Sequence, residues 1–160
     1  MATKKRASDS AGPDQSAVQS HLNSILEMEL AGVVRYTHYS LMIYGYNRIP
    51  IVSWLRKRAE ESLQHAQQAG ELITHLGGHP SLAIGPLLET HRHDIGDILR
   101  EILEHERAAT QHYRELLALV QGKSVLLEEY ARNMVHTEEL DLGEVDKMLR
   151  RPGALGSAAE

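Results

Sequence analysis

The sequence contains no cysteine and no phenylalanine, and it has a single tryptophan among its 160 residues. The lack of cysteine excludes disulfides, zinc–thiolate sites, iron–sulfur clusters and cysteine nucleophiles. No apolar run approaches the roughly 18 residues that a membrane-spanning helix requires. No apolar stretch follows the basic residues near the N-terminus, so a secretory signal is not predicted. We therefore expect a cytoplasmic protein without a membrane partner.

What remains is ordinary for one globular domain, apart from the histidines. Hydrophobic residues make up 42% of the chain and charged residues 24%, and the length suits one domain with a sizeable core. The net charge of −5 argues against nucleic-acid binding by the main body of the chain. The sequence has ten histidines but few aromatic residues. Whether these histidines are placed together or scattered decides which function the sequence predicts.

Hydrophobic periodicity and chain-breaking residues predict four long helices and no strand. Ser16 and Gln19 form a capping-box pattern at the start of the first helix. Pro50 suits the first turn of the second helix, and Asp94 and Ser124 suit the starts of the third and fourth. The predicted segments are a disordered polar tail over 1–15, helices over about 16–44, 51–76, 94–120 and 124–149 that form one bundle, and a frayed tail over 150–160.

The lengths of the connections predict the topology of this bundle. Only a few residues join the first two helices and the last two, so each pair is expected to form an antiparallel hairpin. The connection over 77–93 would reach about 56 Å when extended, whereas the second helix is only about 39 Å long. We therefore predict an all-α bundle of two antiparallel hairpins joined by one long crossover.

The apolar stripe of each helix is interrupted near its middle by an acidic residue or a histidine. The stripe of the second helix also contains Arg58 and Ser62. If the helices pack side by side, the interrupting residues meet at about one level inside the bundle. These residues are Glu29, His65, Glu106, Glu138 and Asp141.

Four carboxylates at one level of a core point to a metal site. Gathering like charges in a low-dielectric interior is prohibitive unless protons or cations neutralise them. Carboxylate and imidazole ligands from facing helices are the ligands of di-iron bundles. The alternatives are a buried hydrogen-bonded polar cluster and partly exposed charges at the edges of the stripes.

Two positions depart from the di-metal pattern, which has a Glu on each of two helices and a Glu-x-x-His pair on each of the others. Three residues after Glu138 stands Asp141 instead of histidine, and three residues before His65 stands Ser62 instead of glutamate. Glu61 lies about 40° around the helix from His65. It is a candidate for the bridging carboxylate or, equally, a solvated surface acid.

Short motifs on all four helices match one family in their spacing. They are Leu22-Asn23, Glu29-Leu30 and Tyr36; His65-Ala66 with the run 76–80; Asp94-Ile95, Leu99, Glu106 and Ala109; and Glu138-Glu139. Over about residues 20–149 the sequence thus resembles the bacterioferritin branch of the ferritin superfamily.

The resemblance implies a ferritin-like fold and a ferroxidase centre that oxidises Fe(II) with O₂ or peroxide, for iron storage or detoxification. The implied ligands are Glu29, His65, Glu106 and Glu138, with Tyr36 close to them, Asp141 at an altered ligand position and Ser62 at the place of the second bridging glutamate. Leu63 stands where the family has its haem-ligating methionine, so no haem of the usual kind is expected. No fifth helix is predicted, and a homo-oligomer, at least a two-fold dimer, is expected.

Three alternatives to a working di-iron centre stay open. The chain could retain the fold with an impaired centre, acting in assembly or metal binding only. It could be a DNA-protecting mini-ferritin that contacts nucleic acid through Lys4, Lys5 and Arg6 in the tail 1–15. The third alternative is a manganese site that removes peroxide.

Overall fold

The computed structural model describes residues 12–87 and 90–156, which form four α-helices and no strand. The helices are α1 (Gln15–Met42), α2 (Arg48–His75), α3 (Ile95–Val120) and α4 (Val125–Leu149). Their bounds agree with the predicted ones to within three residues, and the predicted four-helix bundle is confirmed. No helix in the described part of the chain has the length and apolar character needed to cross a bilayer. The basic residues of the predicted tail, Lys4 to Arg6, lie outside the described residues.

The helix ends follow local hydrogen bonding, with one difference from prediction. The carboxylate of Asp14 accepts hydrogen bonds from the backbone N–H groups of Ser16 and Ala17. Asp14 is therefore the N-cap, and the predicted cap at Ser16 is wrong because this stronger acceptor precedes it. Asp94 and Ser124 cap α3 and α4 as predicted.

The second helix starts three residues earlier than predicted, at Arg48. Pro50 consequently becomes the third residue of the helix. The first N–H groups of an α-helix have no partner within it, so a proline is tolerated there.

The start of the long connection between α2 and α3 runs along α1. At its start, the side chain of Gln19 donates a hydrogen bond of 2.9 Å to the carbonyl oxygen of Leu76. Further along, the N–H of Gly85 donates to the carbonyl oxygen of Glu27 at 2.8 Å. A Cβ atom at Gly85 would lie only 3.0 Å from that oxygen, so glycine permits this close approach.

The apolar core is divided into two clusters by a polar layer. One cluster surrounds Leu22, Ile73 and Leu116, and the other surrounds Ile43, Leu55 and Ile102. The buried acids Glu29, Glu106 and Glu138 lie along the helices between the apolar positions of these clusters. The apolar packing on both sides therefore encloses a polar level near the middle of the bundle.

Candidate metal centre

Three of the predicted ligands come together in the polar layer. The Nδ1 atom of His65 on α2 lies 3.5 Å from Oε1 of Glu29 on α1 and 3.1 Å from Oε1 of Glu138 on α4. One ligand atom from each of these residues lies within 4.8 Å of the other two. Glu29 and Glu138 are 4% and 2% exposed. The structure thus brings three of the five predicted side chains together inside the bundle.

Glu29 is held in place by a tyrosine that was not predicted. The hydroxyl of Tyr113 on α3 donates a hydrogen bond of 2.8 Å to Oε1 of Glu29. Tyr36, which the family resemblance implied as the neighbour of the ligands, is also buried, but its hydroxyl has no hydrogen-bond partner among the described residues. Tyr113 therefore orients this candidate ligand. A role for Tyr36 in the chemistry stays a prediction.

The fourth predicted ligand, Glu106 on α3, is bound to a cation of the protein itself. Nη2 of Arg58 on α2 donates a hydrogen bond of 3.1 Å to Oε1 of Glu106, and both side chains are buried. Burial, together with the charge and the hydrogen bond of Glu138, raises the pKa of Glu106 well above its usual value.

Arg58 also forms ion pairs with the two remaining predicted ligands. Its Nη1 atom lies 2.6 Å from Oδ2 of Asp141 on α4 and 2.9 Å from Oε2 of Glu61 on the next turn of α2. Glu61 forms a second ion pair with Lys57 at 3.3 Å. These two carboxylates are only partly buried, so they lie at the rim of the centre and not among the group formed by Glu29, His65 and Glu138.

The pKa values describe a centre that holds protons in the metal-free state. Burial by itself would lower the pKa of His65, but hydrogen bonds and charges from Glu138 and Glu29 raise it to about 10. Burial raises the pKa of Glu29 as well. The pKa of Glu138 is lowered, despite its burial, by hydrogen bonds from His65 and Glu106. The imidazolium of His65 thus occupies the position between two carboxylates that a cation would otherwise take.

Ser62 supplies no carboxylate at the position of the expected bridging glutamate. Its hydroxyl lies against α1, where a Cβ atom on Gly32 would come within 2.7 Å of Oγ. Serine has no carboxylate, so it does not offer the two oxygens with which a glutamate bridges two metal ions.

The donor set therefore fits one ion better than two. Glu29, His65 and Glu138 offer two carboxylates and one imidazole whose ligand atoms lie within 4.8 Å of one another, a combination that suits iron, manganese or zinc. The carboxylates that would hold a second ion, Glu106 and Asp141, are occupied by Arg58. The predicted di-iron arrangement does not fit these residues as they stand.

Arg58 is the functional residue for which sequence reasoning found no role. The signal was present, because Arg58 occupies an inward position of the α2 stripe, in which the other members are apolar residues, Ser62 and the candidate ligand His65. A long cation at such a position must be paired when it is buried. Leu63, at the family's haem position, is 43% exposed on α2.

Comparison with known proteins identifies the family. A family model described as "Ferritin-like domain" matches residues 19–152. No match was found among curated protein sequences. A ferritin-like diiron-carboxylate protein from Bacillus anthracis str. Ames has a similar structure, with a TM-score of 0.78 and 20% identity over 85% of this chain and 97% of that one.

A second similar structure is the dodecameric thioferritin from Bacteroides fragilis, described as a bacterioferritin-related protein. It has a TM-score of 0.76 and 24% identity over 83% of this chain and 86% of that one. At these identities the two structures support the fold, while the match to the family model extends over most of the sequence. The chain belongs to the ferritin-like domain family.

Proposed function

We propose that this protein binds Fe(II) at Glu29, His65 and Glu138, oxidises it with O₂ or peroxide, and serves in iron storage or detoxification. The observation that carries this proposal is the buried group of two carboxylates and one imidazole within 4.8 Å. Exposed acidic clusters are common on protein surfaces, but buried carboxylates require a compensating charge. A divalent ion supplies that charge directly.

The residues of the centre have two proposed roles: they bind the metal ion, and they stabilise its charge. Glu29 and Glu138 provide oxygen ligands, and His65 provides nitrogen once it has lost its proton. Tyr113 keeps Glu29 oriented through its hydrogen bond. Each Fe(II) ion would give one electron to O₂ or peroxide as it becomes Fe(III). Because negative charges in a poorly solvated site interact more favourably with a trivalent than with a divalent ion, these carboxylates favour the oxidised product.

The relatives support the biological setting of this proposal. One similar structure is described as a diiron-carboxylate protein and the other as a dodecamer. We propose that this chain also handles iron, that it forms a homo-oligomer built on at least a two-fold dimer, and that it works in the cytoplasm. A place in the bacterioferritin branch is proposed on the sequence motifs.

An anaerobic titration of the metal-free protein with Fe(II), followed by a pulse of O₂, tests the proposal. Formation of Fe(III) is followed by near-ultraviolet absorbance. Glu138→Gln should weaken Fe(II) binding by more than about 100-fold, since loss of a group that merely supports a ligand costs 10–100-fold. The matched control is Glu139→Gln, because Glu139 is the exposed neighbour that pairs with Arg114.

Equal Fe(II) affinity in Glu138→Gln, Glu139→Gln and the unaltered protein would contradict the proposal. It would mean that iron binds at a site that does not include Glu138. A second candidate function, metal binding without catalysed oxidation, is favoured by the occupation of Glu106 and Asp141 by Arg58. In that case Fe(II) would bind tightly at Glu138, but oxidation after the O₂ pulse would be no faster than in buffer.

A further inference from the structure

The guanidinium of Arg58 is positioned between two carboxylates that a second metal ion would require. Nη2 lies 3.1 Å from Oε1 of Glu106, and Nη1 lies 2.6 Å from Oδ2 of Asp141. Glu106 belongs to α3 and Asp141 to α4, whereas Arg58 comes from α2. The cation of α2 therefore pairs with one acid from α3 and one acid from α4.

A metal ion and this guanidinium cannot occupy the position together. Carboxylate oxygens bind first-row metal ions at about 2.0–2.2 Å, so an ion shared by Glu106 and Asp141 would overlap the terminal nitrogens of Arg58. The two cations would also repel each other strongly in a buried setting, where water screens charge poorly. Binding of a second ion here requires Arg58 to leave.

The surroundings of Arg58 hold it inside the bundle. Its side chain is only about 7% exposed, and its Cζ atom lies 5.8 Å from the centre of the Tyr36 ring, within the range of a cation–π contact. Glu61 adds a third ion pair at 2.9 Å. Withdrawal of Arg58 would break all of these contacts and leave Glu106 unpaired in the core.

A surface pocket lies beside Arg58 and not beside the candidate ligands. A pocket of about 310 Å³ opens between α2 and α4, and Arg58, Glu61, Asp141 and Glu144 line it. Its lining contains three acids together with the cations Lys57 and Arg58. Glu29, His65 and Glu138 are not among its lining residues.

We propose that Arg58 takes the place of a second metal ion, and that the centre binds a single divalent transition-metal ion at Glu29, His65 and Glu138. The inference rests on the proposed function for the metal site itself and goes beyond it in stoichiometry and in the role of Arg58. Ser62 strengthens it, because no glutamate at that position bridges two ions.

Two properties of bound Mn(II) test the proposal: the number of ions per chain, and whether neighbouring ions are magnetically coupled. Full-length, metal-free protein is titrated with Mn(II) without oxygen, and bound ions are counted by equilibrium dialysis. Electron paramagnetic resonance then separates an isolated Mn(II) ion, with its six-line spectrum, from an exchange-coupled pair. We expect one isolated ion per chain in the unaltered protein and two ions, with a coupled spectrum, in Arg58→Ala.

Two further variants complete the design. Arg58→Lys retains the positive charge and should still bind one isolated ion. Arg132→Ala removes an exposed arginine that pairs with Glu128 on α4, and it should behave as the unaltered protein. Circular dichroism confirms that each variant is folded.

The results that overturn the inference are specific. A coupled pair of ions in the unaltered protein overturns it but leaves the proposed metal-binding function intact. A folded Arg58→Ala protein that still binds one ion also overturns it. If Arg58→Ala fails to fold, the unaltered protein and Arg58→Lys decide between one isolated ion and a coupled pair. No binding by the unaltered protein contradicts the proposed function and, with it, this inference.

Discussion

Arg58 and Glu106 form a buried ion pair across the bundle, with 3.1 Å between Nη2 of the arginine and Oε1 of the glutamate. The pair explains how several acids can share one level of a core before any metal binds. Arg58 contributes a permanent positive charge, and His65 contributes an imidazolium. Each of these two cations stands between acids that would otherwise repel one another.

Removal of Arg58 should destabilise the metal-free protein. Arg58→Ala leaves Glu106 buried without its cation, and breaking one partner of a buried pair typically costs about 3–5 kcal/mol. The free energy of unfolding is measured by urea denaturation of the metal-free protein. Saturating Mn(II) should recover part of this loss, because an ion that binds only the native state stabilises it.

The comparison for this prediction is Arg132→Ala, which breaks an exposed ion pair. Exposed pairs contribute about 0–1 kcal/mol, so this variant should unfold close to the unaltered protein. Equal stability of the Arg58 and Arg132 variants would show that Arg58 is not needed to compensate the buried acids.

Hydrophobic periodicity was sufficient to predict the bundle and most of the polar layer. Glu29, His65 and Glu138 each interrupt an apolar stripe, and the structure brings their ligand atoms together. The crossover could be predicted because its length exceeded what a short turn needs. These features depend on which face of a helix a residue occupies, and sequence spacing determines that face directly.

The pairing of charges within the layer could not be predicted in the same way. Arg58 was visible on the inward face, but spacing does not say which acid a long, flexible side chain reaches on another helix. Glu61 and Asp141 were considered as ligands, whereas the structure pairs both of them with Arg58. Tyr113 shows the same limit, since its contact with Glu29 joins α3 to α1 across 84 residues of sequence.

Metal affinity should increase with pH because binding must remove a proton from His65. Its pKa of about 10 in the metal-free protein means that the imidazolium predominates from pH 6 to pH 8. Only the neutral ring can ligate a metal. Release of one proton makes the apparent association constant rise about tenfold for each pH unit in this range.

Mn(II) titrations at constant ionic strength across this pH range measure the slope. The ¹⁵N chemical shifts of the imidazole nitrogens in the metal-free protein report the protonation state of His65 independently. An affinity that does not change with pH, together with a neutral imidazole signal at pH 7, would contradict the prediction.

Position 62 offers a test of what a two-ion centre would need in this chain. Ser62 provides no carboxylate, and its hydroxyl lies beside Gly32. In the absence of Arg58, a glutamate at position 62 adds a negatively charged ligand next to the vacated carboxylates of Glu106 and Asp141. We expect the double variant Arg58→Ala with Ser62→Glu to bind its second Mn(II) ion at least about tenfold more tightly than Arg58→Ala, in line with the 10–100-fold effects of groups around metal ligands.

The matched control replaces Ser62 by glutamine in the same Arg58→Ala background. Glutamine has nearly the size of glutamate but no charge, so any effect of packing against Gly32 is shared by both variants. A charge effect therefore appears as a difference between them in the affinity for the second ion, measured by Mn(II) titration. If glutamate and glutamine give the same affinity, position 62 does not face the second ion, and the missing bridge is not what limits this centre to one metal. If glutamate alone tightens binding, Arg58 and Ser62 together account for the single-ion site.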